Sequence, residues 1–183
     1  GAANNHFANG LVLRQGAASL AKSGGAVAVD GFLYVGDPQN TQPATCDLLG
    51  AGQFDPSLTL IVPPSGRLNL NGHNATVKAL HGASADDGGR IALAGATLTL
   101  DDQGQLGYDW AGVIEGAGGV TKRGAGSLQF LGANTYTGTT LVQQGGLTIQ
   151  GVQPASPVVV LNGAVLHGAG TVGHLTVNTG GTV

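Results

Sequence analysis

Short alternating runs of apolar and small residues recur along the whole chain, and no stretch sustains a helical period. The runs are 10–13 (GLVL), 26–29 (AVAV), 32–35 (FLYV), 57–62 (SLTLIV), 67–70 (RLNL) and 76–80 (TVKAL). They continue at 90–93 (RIAL), 97–100 (TLTL), 127–131 (SLQFL), 147–149 (LTI), 158–161 (VVVL) and 175–177 (LTV). Each is bounded by Gly, Asn or Asp. Such segments read as short strands separated by tight turns.

Many runs open with the same unit: a glycine, a variable residue, then an aliphatic. It appears as Gly66-Arg67-Leu68, Gly89-Arg90-Ile91, Gly126-Ser127-Leu128 and Gly163-Ala164-Val165-Leu166. In the last third the spacing is regular: 19 residues separate Leu128 from Leu147, and 19 separate Leu147 from Leu166. Self-similarity at this period is the signature of a solenoid in which each repeat is one coil.

The physics of a coil suits the pattern. Two or three short strands per turn send alternate side chains inward, and equivalent strands of successive coils pair in parallel about 4.8 Å apart. Corners need unusual backbone angles, which glycine supplies at little steric cost. Asn71, Asn134, Asn162 and Asn178 stand beside expected corners, and asparagine tolerates the left-handed conformation. At about 20 residues per coil the chain predicts roughly eight or nine coils and a rod on the order of 40 Å long.

Two stretches break the rhythm. Residues 36–56 hold three prolines, Cys46 and several polar residues. Proline cannot donate to an interior ladder, so this stretch is expected to protrude as a loop. Residues 83–89 (ASADDGG) read as a short turn.

Composition narrows the class. The 183 residues include 34 glycines, only 9% charged and 4% aromatic residues, yet 42% hydrophobic ones. A disordered segment would carry fewer aliphatics and more charge, and the absence of a strict Gly-x-y period excludes collagen. A net charge of −3 with seven Lys and Arg and no basic run argues against nucleic acid as a partner. No stretch approaches the ~18–20 apolar residues of a membrane span. Residues 1–10 show no signal-peptide pattern, and the chain is expected to be a fragment of a longer protein. The lone cysteine, Cys46, can form no internal disulfide and is expected as an isolated thiol in the loop.

Residues 109–149 carry a more specific signal. Trp110-Ala111-Gly112-Val113-Ile114, Gly118-Gly119-Val120-Thr121-Lys122 and Gly124-Ala125-Gly126-Ser127-Leu128 follow one another without a gap. Asn134-Thr135-Tyr136-Thr137-Gly138 and Gly145-Gly146-Leu147 come after them. This succession closely resembles the passenger-associated repeat of bacterial autotransporters (type V secretion). Gln129-Phe130 departs from the family's Thr-Leu but keeps the alternation. Residues 157–183 look like the coils that usually follow, whereas 1–108 share only the general texture. The resemblance implies one right-handed parallel β-helix over 1–183, all-β, displayed on or secreted from a Gram-negative cell. It also implies a C-terminal outer-membrane β-barrel translocator, absent here, and a folding-assistance role for 109–183.

Candidate chemistry is sparse. Asp101 and Asp102 are adjacent, with Asp109 and Glu115 nearby, and paired acids could serve glycoside hydrolysis. The composition of 101–104 and of 86–89 instead reads as solvated turn. His6, His73, His81, His167 and His174 are scattered, and the pair His167 and His174 is too few for structural zinc. Gly124-Ala125-Gly126-Ser127-Leu128 precedes a strand and so lacks the setting of a nucleophile elbow. The glycines at 116–119 open no phosphate-binding helix. Trp110, Tyr108 and Tyr136 could be exposed carbohydrate platforms, but packing against a coil edge or over a gap is preferred. No catalytic, cofactor-binding or metal residue is therefore assigned, and no cofactor is implied.

Three functions remain. The first is a structural stalk with adhesion or self-association toward host-surface molecules, carbohydrate or itself. The second is the stalk of a longer passenger whose enzyme domain, for example a protease, lies upstream. The third is a polysaccharide-degrading β-helix enzyme.

Overall fold

The computed structural model describes residues 10–23, 26–39, 41–82, 84, 86–102 and 108–183. Its strands in chain order begin with β1 (Leu11–Leu13), β2 (Gly16–Leu20), β3 (Phe32–Val35), β4 (Ala44–Leu48), β5 (Thr59–Ile61), β6 (Gly66–Asn69) and β7 (Ala75–Val77). Next come β8 (Ala79–His81), β9 (Arg90–Ala92), β10 (Thr97–Asp101), β11 (Tyr108–Trp110), β12 (Val113–Glu115), β13 (Gly119–Arg123) and β14 (Ser127–Phe130). The last are β15 (Thr140–Val142), β16 (Gly146–Ile149), β17 (Val152–Gln153), β18 (Val158–Val160), β19 (Val165–His167), β20 (Thr171–Val172) and β21 (Leu175–Val177).

Strands alternate with period two because small and branched residues suit a pleated, half-buried surface. Leu33 and Val35 of β3 point inward while Phe32 and Tyr34 point out. Leu98 and Leu100 of β10 point inward in the same way. Strands that meet are parallel and come from successive coils, as in β1-β3-β5-β8 and β21-β18-β15-β13-β10-β7. The result is a three-faced parallel β-solenoid. The first face holds β1, β3, β5 and β8, then β11, β14, β16 and β19, with β11 packed on β8. The second runs through β2, β4, β6, β9 and β12, and the third through β7, β10, β13, β15, β18 and β21.

Among the described residues eight strands on the first face enclose seven turns, where a uniform period over the whole chain predicts eight or nine coils. The difference lies in the early coils. Leu33 sits 22 residues after its register partner Leu11, and Leu60 sits 27 after Leu33. Leu128, Leu147 and Leu166 stack at 19. Extra residues at early corners lengthen the turn without adding a rung.

The loop expected at 36–56 is a correction. Ala44–Leu48 is strand β4, paired on one side with β2 and on the other with β6. Ala44, Cys46 and Leu48 face the interior, and Cys46 is fully buried. Phe54 is also buried and bridges Val29. The alternation of Ala-Thr-Cys-Asp-Leu carries the strand, while Pro38, Pro43 and Pro56 stand outside it at corners, where no ladder donor is lost. At 84–89 the turn reading holds for the described residues: Asp87 accepts hydrogen bonds from the Ser84 amide and hydroxyl.

One continuous apolar cluster runs from Leu20 to Leu166. It thins at the last coil, where Leu175 and Val177 are 37% and 42% exposed. Close approach of coils fixes a column of glycines at the corner after the first face. A Cβ on Gly132 would lie 2.1 Å from the Gly112 carbonyl oxygen, one on Gly151 2.0 Å from that of Gly132, and one on Gly170 2.2 Å from that of Gly151. The clashing atoms are backbone, so no rotamer relieves them. Gly132→Ala is expected to cost about 1–3 kcal/mol or more, read as a lowered urea midpoint. An unchanged midpoint would mean that the coils can move apart at this corner. At another corner Asn71 adopts φ 50°, as its position in the sequence predicts.

Candidate functional site

The acids that lie close in sequence are sent to three different faces. Asp101 ends β10 on the third face, Asp109 is in β11 on the first, and Glu115 ends β12 on the second. Each charged pair then serves cohesion between coils. Asp101 accepts from Arg123 Nε at 2.8 Å. Glu115 receives Arg67 at 2.8 Å and Arg90 at 2.6 Å, one arginine from each of two earlier coils. Arg67 also donates to Asn69 Oδ1, and Asn69 donates to Asp47 Oδ1. A polar chain thus crosses four coils on the outer second face. Asp101, Asp109 and Glu115, on three different faces, are not placed as a pair flanking one substrate position.

Asp102 overturns the solvated-turn reading. It is buried, and its Oδ2 lies 2.6 Å from Nζ of Lys122, which is fully buried. Asp102 Oδ1 accepts the amide of Gly126 at 2.9 Å. Lys122 also donates to the carbonyls of Arg123, Gly124 and Gln144, at 3.1, 2.9 and 3.3 Å. The ammonium therefore ties together residues from three successive coils. A buried charge is stable only when paired and hydrogen-bonded in this manner. The alternation of Gly119–Arg123 places Val120 and Lys122 on the same inward side. That period was the signal for an interior lysine.

A second interior cluster is neutral. Tyr136 Oη lies 2.5 Å from Thr140 Oγ1, which is 2.8 Å from Ser156 Oγ and accepts from Gln153 Nε2 at 2.9 Å. Ser156 donates to the Gly138 carbonyl at 2.8 Å. All four side chains are fully buried. Asn134, also buried, accepts the amide of Ile114 from the coil before it. Trp110 and Tyr136 are not exposed platforms: both are fully buried in the core, deeper than the coil-edge packing expected for them. The side chain of Tyr108 lies outside the described residues.

The histidines do not converge. His81 is half-buried in β8, and burial pushes its imidazole below the usual value while Asp109 opposes the shift. His167 and His174 are exposed, and His6 lies outside the described residues. Among the described residues no three His, Cys, Asp or Glu side chains group as metal ligands. Ser127 opens strand β14, as its motif predicts.

Cys46 is a free thiol in the core, between Ala18 and Leu68 of the adjacent coils. Burial, with help from Asp47, pushes its pKa up from 9.0 to about 12. A thiol so placed is a small apolar filler and a poor nucleophile. Between pH 9 and 12 the unfolded chain releases this proton and the folded chain keeps it. Stability from this group is therefore complete below pH 9 and falls as pH rises, by on the order of 4 kcal/mol across that window. Tyr136, raised by burial from 10.0 to about 12, adds a second slope of the same sign. Cys46→Ala should flatten the dependence of the urea midpoint between pH 8 and 10. An equal slope in the variant would assign the effect elsewhere.

Comparison with known proteins adds the remaining finding. Residues 120–149 match the family model of the passenger-associated-transport-repeat. An extracellular serine protease of Serratia marcescens is 49% identical over 74 residues, covering 40% of this chain and 7% of that protein. The adhesin BmaC autotransporter of Brucella suis biovar 1 is 34% identical over 142 residues, 75% of this chain and 4% of that protein. The autotransporter lipoprotein NalP of Neisseria meningitidis serogroup B is 36% identical over 81 residues, 43% of this chain and 8% of that protein. The chain thus spans less than a tenth of each of these relatives. No solved structure matches.

Proposed function

We propose that this chain, a repeat segment of an autotransporter passenger exported to the surface or surroundings of a Gram-negative cell, is a non-catalytic stalk whose C-terminal coils assist folding and secretion. One observation carries the reading. The adhesin's match covers three quarters of the chain and so overlaps the match to a protease and the match to a lipoprotein. Protease and adhesin differ in what they do, so their common segment supports what they have in common, which is a scaffold and an export route. Adhesion or self-association is the activity proposed for the outer faces. The linked partner is a C-terminal outer-membrane translocator.

The folding role has a physical basis. In a solenoid each coil gains from pairing with a formed neighbour. The coils from 109 on carry the 19-residue register, the neutral interior cluster and Lys122, whose partner Asp102 ties them to the coil before. A chain leaving the cell C-terminal end first would fold them early and template the coils above. Folding outside would then oppose sliding back without ATP.

The test deletes residues 109–167 from the full-length protein and probes surface exposure with protease on intact cells. Display of the remaining passenger should fall sharply, while deletion of 10–35 should leave it largely intact. Equal display of the two variants would refute the folding role. A second reading, in which this stalk supports an upstream protease domain, draws on the Serratia marcescens relative named as an extracellular serine protease.

A further inference from the structure

The outer first face of the early coils carries an open groove of about 660 Å³. Its floor is a column of outward side chains in register. Val12 stands beside Tyr34, and Tyr34 beside Ile61, with Phe32 next to Tyr34 on the same side. Three rungs of a parallel sheet give this floor a width of about 10 Å. The wall is the turn after β3, with Asp37, Pro38 and Gln39, together with Arg14. Asp37 is fixed there: its Oδ1 accepts the Gln39 amide, its Oδ2 lies 3.1 Å from Arg14 Nη1, and its own amide donates to Ser65 Oγ. The Arg14 side chain is 70% exposed. A second hollow of about 360 Å³ shares Asp37, Pro38 and Gln39 as its near wall.

We propose that this groove binds a neutral oligosaccharide, with Tyr34 and Phe32 as stacking platforms and Arg14, Asp37 and Gln39 as hydroxyl partners. A sugar ring has an apolar C–H face and a polar rim, and the groove offers an aromatic and aliphatic floor beneath a fixed polar wall. Small-ligand sites combine these two features. Arg14 and Asp37 offset each other in charge, so the wall carries a donor and an acceptor but no net field for an anion. The floor strand β3 is paired with β1 on one side and β5 on the other. A peptide laid there finds no open ladder to extend. The second hollow continues beyond the Asp37–Gln39 ridge, which suits a chain of sugars better than a single ring.

The proposal deepens the adhesion part of the reading above and rests on it for its biological setting. Binding is measured on the isolated 183-residue chain, so its failure is distinct from a failure of export. Maltotriose, chitotriose, lactose and sialyllactose are titrated to about 10 mM, in the weak range expected of a shallow site, while amide resonances are followed. The expected result is saturable shifts centred on Val12, Tyr34 and Gln39 with at least one neutral sugar. Affinity should fall about tenfold in Tyr34→Ala, the loss of one stacking ring, and by a similar factor in Arg14→Ala. Arg14 is exposed enough that its variant keeps the fold. No shift with any neutral sugar, preference for sialyllactose, or binding unchanged in both variants would each overturn the proposal.

Discussion

Replacing Lys122 with methionine is expected to destabilise the chain by about 3–5 kcal/mol, the usual cost of removing one partner from a buried ion pair. The loss has two parts. Asp102 stays buried with its cation gone. The carbonyls of Arg123, Gly124 and Gln144 lose their shared donor as well. Asp102→Asn should cost less, because the amide keeps an oxygen for Gly126. The double variant Lys122→Met with Asp102→Asn should recover much of the loss, since desolvating two charges offsets much of what their attraction returns. Urea unfolding followed by circular dichroism gives the three values and their coupling. If the double variant lost the sum of the single changes, the two side chains would not act as a pair.

The second large effect concerns where along the rod a buried charge is placed. Leu147 is fully buried, with Leu128 on one side and Leu166 on the other. Leu147→Asp puts an unpaired carboxylate between two leucines, a penalty above about 4 kcal/mol. A domain with a stability of about 5–15 kcal/mol loses much of its margin to such a change. Leu11 is half-buried in the first strand and has a register partner, Leu33, on one side. Leu11→Asp should fray the first coil at about 1 kcal/mol and leave the rest protected. Val12, its neighbour, points outward and is 46% exposed, so it is no test of the core. Hydrogen exchange on the wild-type chain should show strongest protection within 110–166 and weaker protection in the last coil, where Leu175 and Val177 are partly exposed. Highest protection in 10–35 would remove the basis for a C-terminal folding seed.

Both predictions depend on stacking that the residue order only partly announces. Alternation was legible wherever large aliphatics marked the inward side, as in Phe32–Val35 and Thr97–Asp101. It was overlooked in Ala44–Leu48, where alanine and cysteine fill the inward positions and prolines flank the strand. Small residues fit a narrow interior as well as leucine does, so composition alone hides such a strand. The candidate groove was equally hidden. Tyr34 faces outward by simple period two, but its neighbours Val12 and Ile61 lie 22 and 27 residues away. Unequal coil lengths make that register unreadable before the fold is known.

The sequence by itself determined the all-β class, the parallel solenoid, the glycine-bounded corners and the likeness of 109–149 to the autotransporter passenger repeat, of which the family model matches 120–149. These follow from local rules: period-two alternation, the tolerance of Gly and Asn for unusual backbone angles, and a repeat length that recurs. Only the tertiary structure decided the roles of the charged and aromatic residues. Asp101 and Asp102 are adjacent, yet one meets exposed Arg123 and the other meets buried Lys122. Alternate residues of a strand face opposite sides, and their partners come from the next coil, some 20 positions away. Whether a given acid meets water, a cation or a glycine amide is set by that coil-to-coil register, which no local pattern specifies.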